Sequence, residues 1–305
     1  MTDTAAQEQN VQSKNRSLWG DVWVQFRSHK GAMLGMVVFG IILFGVTAGP
    51  YLWTIDPQYL DIRDKNQGIS WKHPLGTDQL GRDLLAQLIH GGRVSVAVGL
   101  AAMLLSLVLG TFIGVLAGYF KRIDGPLMRL TDLFLALPIL PLLLVIIMLF
   151  RDTLRNAFGP ETGIFLLIVF IIGMTSWMQT ARIVRGDVLA LKEREFILAA
   201  NSIGTPARRV ILRHILPNIM SPIMVSATLG VATAIITESA LSFLGLGFPS
   251  DFPTWGRLLF DGTTFIQQSP SRVIWPGLAI SLTVLSVNFI GDGLRDALDP
   301  RIRGR

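Results

Sequence analysis

The 305-residue chain contains no cysteine, which excludes disulfide scaffolds, thiolate metal sites, iron–sulfur clusters and thiol catalysis. Charge is scarce as well: Asp, Glu, Lys and Arg make up 16% of the residues, against roughly 25% in an ordinary soluble chain. No Gly-Lys dipeptide occurs, so a Walker A phosphate loop is excluded, and neither H-E-x-x-H nor G-x-S-x-G is present. The chain alone hydrolyses no ATP. Its four histidines, His29, His73, His90 and His214, fall in loops or at the ends of apolar runs. An intramembrane protease would therefore have no base at membrane depth.

What is abundant is apolar sequence, at 50% of residues with a mean hydropathy of +0.51. A bilayer core needs about 20 apolar residues in helical form, because lipid offers the backbone no hydrogen-bond partners. Six runs qualify: Ala32 to Trp53, Val94 to Phe120, Leu133 to Phe150, Gly163 to Met178, Asn218 to Thr237 and Val273 to Ile290. The pattern predicts an all-α integral membrane protein with six transmembrane helices. A cleavable signal peptide is not expected, since the first run follows a polar stretch and lacks an A-x-A site. With six spans both termini share a side. That side carries 18 Lys and Arg and the other 9, so the positive-inside rule places both termini in the cytoplasm. The pI near 10.1 is thus topology and not a nucleic-acid footprint.

The resulting division is a cytoplasmic tail over 1–31, a first span over 32–53, an extracytoplasmic loop over 54–93, a transmembrane core over 94–291 and a tail over 292–305. Residues 1–15 have the composition of a disordered segment. Trp19, Val22, Trp23 and Phe26 then recur at helical spacing, which predicts a helix lying in the cytoplasmic interface, with packing against a partner as the alternative. In the outer loop, His73, Asp78 and Asp83 have metal-ligand chemistry, but their spacing forms no compact ligand pair, and Gly76 and Gly81 read as turns. An ordered loop with internal Asp and Arg pairing is expected. Asp132 and Arg129 at i,i+3 suggest a local ion pair. Gly110, Gly114 and Gly118 form a small-residue stripe for close helix approach.

The long basic stretch 182–217 is the most patterned. Ala190 to Ser202 favours helix, Gly204 suits the left-handed position that ends it, Thr205 is a cap for the next helix and Pro206 fits its first turn. Ala199 and Ala200 are small enough for another protein's surface to approach the backbone. Local physics alone leaves an ordinary basic loop as an equal reading. Ala199-Ala200, Gly204 and then His214-Ile215-Leu216-Pro217 resemble the E-A-A-x3-G-x9-I-x-L-P signature of the membrane subunits of binding-protein-dependent ABC importers. Leu198 stands at the Glu place and His214 at the first Ile place; Glu195 supplies a carboxylate one turn earlier. HPLGTDQLGRDLL (73–85), ARIVRGDVLALKEREF (181–196), ESALSFLGLG (238–247) and NFIGDGLRDALDP (288–300) narrow the resemblance to the oligopeptide and dipeptide permease branch, as its C-type subunit.

The resemblance implies a type I ABC importer permease fold in a bacterial inner membrane. It implies as partners a second homologous permease subunit, two cytoplasmic ATP-binding subunits that hold the ATP and Mg, and an extracytoplasmic solute-binding protein. No cofactor is expected in this chain, and its role is transport and not catalysis. The coupling residues carried over are Ala199, Ala200, Gly204 and Pro217. Relatives of this branch carry peptides, nickel complexes, glutathione or opines. Glu238, the one carboxylate within an apolar run, is a candidate for the outer end of the cargo path, with helix capping as the alternative. A secondary transporter would need ionisable residues beside broken helices at mid-membrane; Pro138 and Pro141 supply a break with no charge beside it. An intramembrane enzyme lacks its nucleophile and base.

Overall fold

A computed structural model describes residues 18–249 and 251–298. The reading of residues 1–15 as disordered, and the basic residues Lys14, Arg16, Arg301, Arg303 and Arg305, lie outside the described residues. Helix α1 covers Leu18–Ser28, α2 Lys30–Leu52, α3 Leu84–Tyr119, α4 Lys121–Ala136, α5 Ile139–Phe158, α6 Pro160–Met174 and α7 Trp177–Lys192. Then come α8 Glu195–Ser202, α9 Ala207–Val210, a π-helical turn Ile211–Ile215, α10 Leu216–Asn218, α11 Met220–Phe243, α12 Trp255–Thr263 and α13 Ser271–Leu298. Among the described residues there is no strand, only one isolated bridge between Thr77 and Asp83.

Among the described residues five helical stretches are long and apolar enough to cross a membrane, and the bent pair α4 with α5, which meet at 87°, brings the number to six when it is counted as one span. This corrects the third run: Leu133 to Phe150 is not one straight helix. Pro138 has no N–H to donate, and Leu137 before it is driven to extended backbone, at ψ 138°. The fourth run is also longer than its apolar core suggests. It continues from Pro160 to Lys192, interrupted at Thr175 and Ser176, so Arg182 and Arg185 sit on a helix and not in a loop.

Helix α3 has 36 residues, about 54 Å at 1.5 Å per residue, and outruns a bilayer core of about 30 Å. It begins at Leu84, where the Asp83 side chain accepts from the Ala86 amide at 2.7 Å, so residues 84–93 belong to this helix and the outer loop ends at Asp83. Its inner half packs on α7 along the glycine stripe. A Cβ on Gly114 would stand 2.6 Å from the Ala181 carbonyl, and one on Gly118 would stand 2.7 Å from Val188 Cβ. Glycine there sets the helix separation.

The largest core joins α3, α5, α6 and α11 through Val98, Leu143, Ile147, Ile168, Ile172 and Leu241. Helix α1 packs rather than lying free: Val22 and Phe26 are buried against Ala32 and Ala297, while Trp23 stays exposed. This contact sets the amino-terminal helix beside the carboxyl end of α13, on one side of the molecule. Outside, Arg272 at the start of α13 holds the outer loop, donating to Asn66 Oδ1 at 2.6 Å, to the Thr77 carbonyl at 3.0 Å and to Gln79 Oε1 at 3.2 Å.

Candidate functional site

The stretch from Arg194 to Pro217 is built on a helix stop. Helix α8 ends at Ser202, and the Thr205 amide donates to the Ala200 carbonyl at 3.1 Å while the Gly204 amide donates to the Asn201 carbonyl at 3.0 Å. These two bonds are the reciprocal pair of a left-handed helix terminus, and Gly204 supplies it with φ +77°. The predicted helix is shorter than its propensity suggests, because the chain breaks at Glu193 and Arg194 before α8 begins. Pro206 stands just before the first helical residue, Ala207, with extended ψ of 143°.

One face of α8 is rooted and the other is free. Ile197 and Ala200 are buried with Val184 and Val188 of α7, Val115 of α3, and Val210 and Ile215 beyond the turn. Glu195, Leu198, Ala199 and Ser202 are exposed, and so is Ile203, at 83%. Pro217 is exposed after the π-helical turn. Polar contacts tie the same corner to the spans. Lys192 Nζ donates to the Tyr119 carbonyl at 2.8 Å and lies over the Tyr119 ring, whose hydroxyl reaches Asn201 Oδ1 at 3.5 Å. Arg185 holds Asp124 of α4 through two bonds, one at 2.7 Å, and Arg182 pairs with Asp132. The ion pair expected between Asp132 and Arg129 is replaced by this link between helices.

Further along the same helices lies a cavity of about 330 Å³. Both span breaks open on it, through Leu137 and Ile139 and through Thr175 and Ser176. Met103, Ser106, Gln179, Ser226, Thr233 and Thr237 complete much of the wall, and among the described residues no ionisable side chain lines it. These polar residues were not singled out in the sequence. Thr233 and Thr237 at i,i+4 in an apolar span were the available signal.

Glu238 neighbours Thr237 in sequence but does not line this cavity. Its residue is 0% exposed, and Ser242 Oγ donates to its Oε1 at 2.7 Å. The hydroxyls of Ser95, Thr254 and Ser239 lie close to the carboxyl, but its Oε2 accepts no hydrogen bond. The group is therefore buried where α11 meets α3 and the cap of α12. In the outer loop, Asp78 and Arg82 pair at 2.7 Å as expected. His73 Nδ1 lies 2.7 Å from Asp83 Oδ2, and Lys72 pairs with Asp64. The Lys72 ammonium holds the Asp64 carboxyl below its ordinary pKa, and Asp64 in turn raises that of Lys72. Among the described residues no group of three or more His, Cys, Asp or Glu is placed to hold a metal ion.

Residues 106–304 match the family described as binding-protein-dependent transport system inner membrane component. The chain belongs to this family. Residues 17–68 also match the N-terminal transmembrane domain of oligopeptide transport permease C. Among relatives of this permease, the dipeptide transport system permease protein DppC of Alkalihalophilus pseudofirmus is 38% identical over 94% of this chain and 91% of that protein. The oligopeptide transport system permease protein OppC of Bacillus subtilis is 36% identical, covering 98% and 95%. OppC of Haemophilus influenzae is 37% identical, covering 97% and 92%. The fold is similar to a chain of the MetNI methionine ABC transporter in inward-facing form. The TM-score is 0.56 at 16% identity, covering 70% of this permease and 97% of that chain. The permease is a multi-pass inner-membrane protein with the type I importer fold.

Proposed function

We propose that this permease forms half of the membrane path of a peptide importer and that ATP hydrolysis on separate subunits drives it. The second half comes from a homologous permease subunit. Two cytoplasmic ATP-binding subunits supply the work, and an extracytoplasmic solute-binding protein delivers cargo. The peptide cargo rests on the relatives named for dipeptide and oligopeptide transport.

The observation that carries the reading is the two-faced helix α8. Its outer face, with Ala199, meets the ATP-binding subunit, and Ala200 accepts the bond that closes the turn at Gly204. Its inner face is packed on α3 and α7, so a displacement of α8 moves both spans as packed bodies. Pro217 limits bending where the segment enters α11. A proton-coupled carrier would need titratable groups at mid-membrane, and among the described residues no titratable side chain lines the cavity. The test is uptake of trialanine by proteoliposomes holding this permease with its co-expressed subunits. Uptake that requires ATP and intact ATP-binding subunits supports the reading. Uptake driven by an ion gradient through this chain alone refutes it.

A further inference from the structure

Three of the hydroxyls on the cavity wall are turned into acceptors by their own helices, while Ser106, Ser176, Thr180 and Ser226 on the same wall have no such bond. The Thr175 hydroxyl donates to the Ile171 carbonyl at 2.8 Å, Thr233 to Leu229 at 3.0 Å and Thr237 to Thr233 at 2.8 Å. Each hydroxyl hydrogen is thus committed to its own helix. A hydroxyl oxygen has two lone pairs and one hydrogen, so what these threonines offer the cavity is acceptor capacity. Gln179 adds an exposed amide that accepts and donates. Among the described residues no carboxylate, imidazole, ammonium or guanidinium lines the space.

We propose that this cavity is a neutral acceptor site for the peptide main chain: Thr175, Gln179, Thr233 and Thr237 receive backbone N–H groups and the terminal ammonium, and the wall does not discriminate between cargo side chains by charge. The inference rests on the peptide-importer reading above and assigns its cargo contacts. A fixed charge in a low-dielectric wall would attract one class of peptide and repel the opposite class. Acceptor lone pairs bind what every peptide shares. Neutral hydroxyls also hold cargo weakly enough for release, which passage demands.

The experiment uses the full importer in proteoliposomes, with the binding protein loaded to saturation with trialanine, Ala-Lys-Ala or Ala-Glu-Ala, and reads uptake per assembled complex. For the unmodified complex the three rates should agree within about threefold. Gln179→Glu, an isosteric change on an exposed side chain, should spread the lysyl-to-glutamyl ratio by about tenfold, as expected when a charge meets cargo in a partly desolvated site. Thr233→Asp should act in the same direction and gives an independent reading if the first variant assembles poorly. An N-methylated trialanine delivered equally well should enter more slowly than trialanine. The proposal is overturned if the unmodified complex separates lysyl from glutamyl cargo by tenfold or more. It is equally overturned if both variants assemble and leave the ratio unchanged, or if N-methylation has no effect. Failure of trialanine itself to enter in an ATP-dependent way would instead count against the importer reading.

Discussion

Replacing Gly204 with valine tests whether the turn after α8 has a mechanical role. Gly204 sits at φ +77°, where an L-residue costs roughly 1–2 kcal/mol, and more when branched at Cβ. Nothing lies within 4 Å of a Cβ placed there, so the cost is conformational and includes no clash. Release of that strain opens the bonds from Gly204 to Asn201 and from Thr205 to Ala200. A shift of about 2 kcal/mol changes the population of the closed turn by about 30-fold. The variant should insert normally, because the turn lies beyond the spans, and the complexes that assemble should lose most of their cargo-stimulated ATPase activity and uptake. Gly204→Asn should keep much of both, since asparagine tolerates the left-handed conformation. The assay is ATPase rate with and without loaded binding protein in a reconstituted complex. An assembled valine variant with normal stimulation and uptake would falsify the coupling role of this turn.

Three further outcomes follow from the geometry. Gly114→Leu should lower the thermal midpoint of the purified permease by overpacking worth about 1–3 kcal/mol, since its Cβ meets the Ala181 carbonyl at 2.6 Å; Gly186→Ala, which meets nothing within 4 Å, should not. Glu238→Ala should cost about 2–3 kcal/mol through a cavity and the lost Ser242 bond, and should reduce uptake of charged and neutral cargo alike; a loss confined to cationic cargo with unchanged melting would instead assign Glu238 to the cargo path. The contribution of the Asp64–Lys72 pair to protection of residues 54–83 from hydrogen exchange should vanish as pH falls through the lowered pKa of Asp64 and again as pH rises through the raised pKa of Lys72, and be present between the two.

Spans were legible in the sequence wherever an apolar run coincided with the helix, as for Lys30–Leu52 and Ser271–Leu298. The glycine stripe of α3 was legible for a physical reason: glycines four apart lie on one helix face, and close packing is their main use there. Hydropathy failed where a helix continues through polar sequence. Arg182 and Arg185 ended the apparent fourth span, yet both pair with aspartates on α4 and stay helical. The break at Pro138 was visible, but its 87° bend depends on tertiary packing. Gly204 as the turn residue could be read locally, since few residues tolerate its φ. The acceptor character of Thr175, Thr233 and Thr237 could not, because it depends on which carbonyl each hydroxyl meets. Glu238 stood out as a lone carboxylate, and only the structure shows the hydroxyls that lie close to it.

The central claim is that the outer face of α8 and the turn after it seat in an ATP-binding subunit. Because the chain has no cysteine, a single introduced thiol reports one position without background. Ile203 is 83% exposed, and Ile203→Cys in the assembled importer should crosslink to the co-purified ATP-binding subunit in membranes. Trp71→Cys, fully exposed in the outer loop, should not reach that subunit. A complex that transports normally and crosslinks from neither position, or from Trp71→Cys alone, would contradict the account.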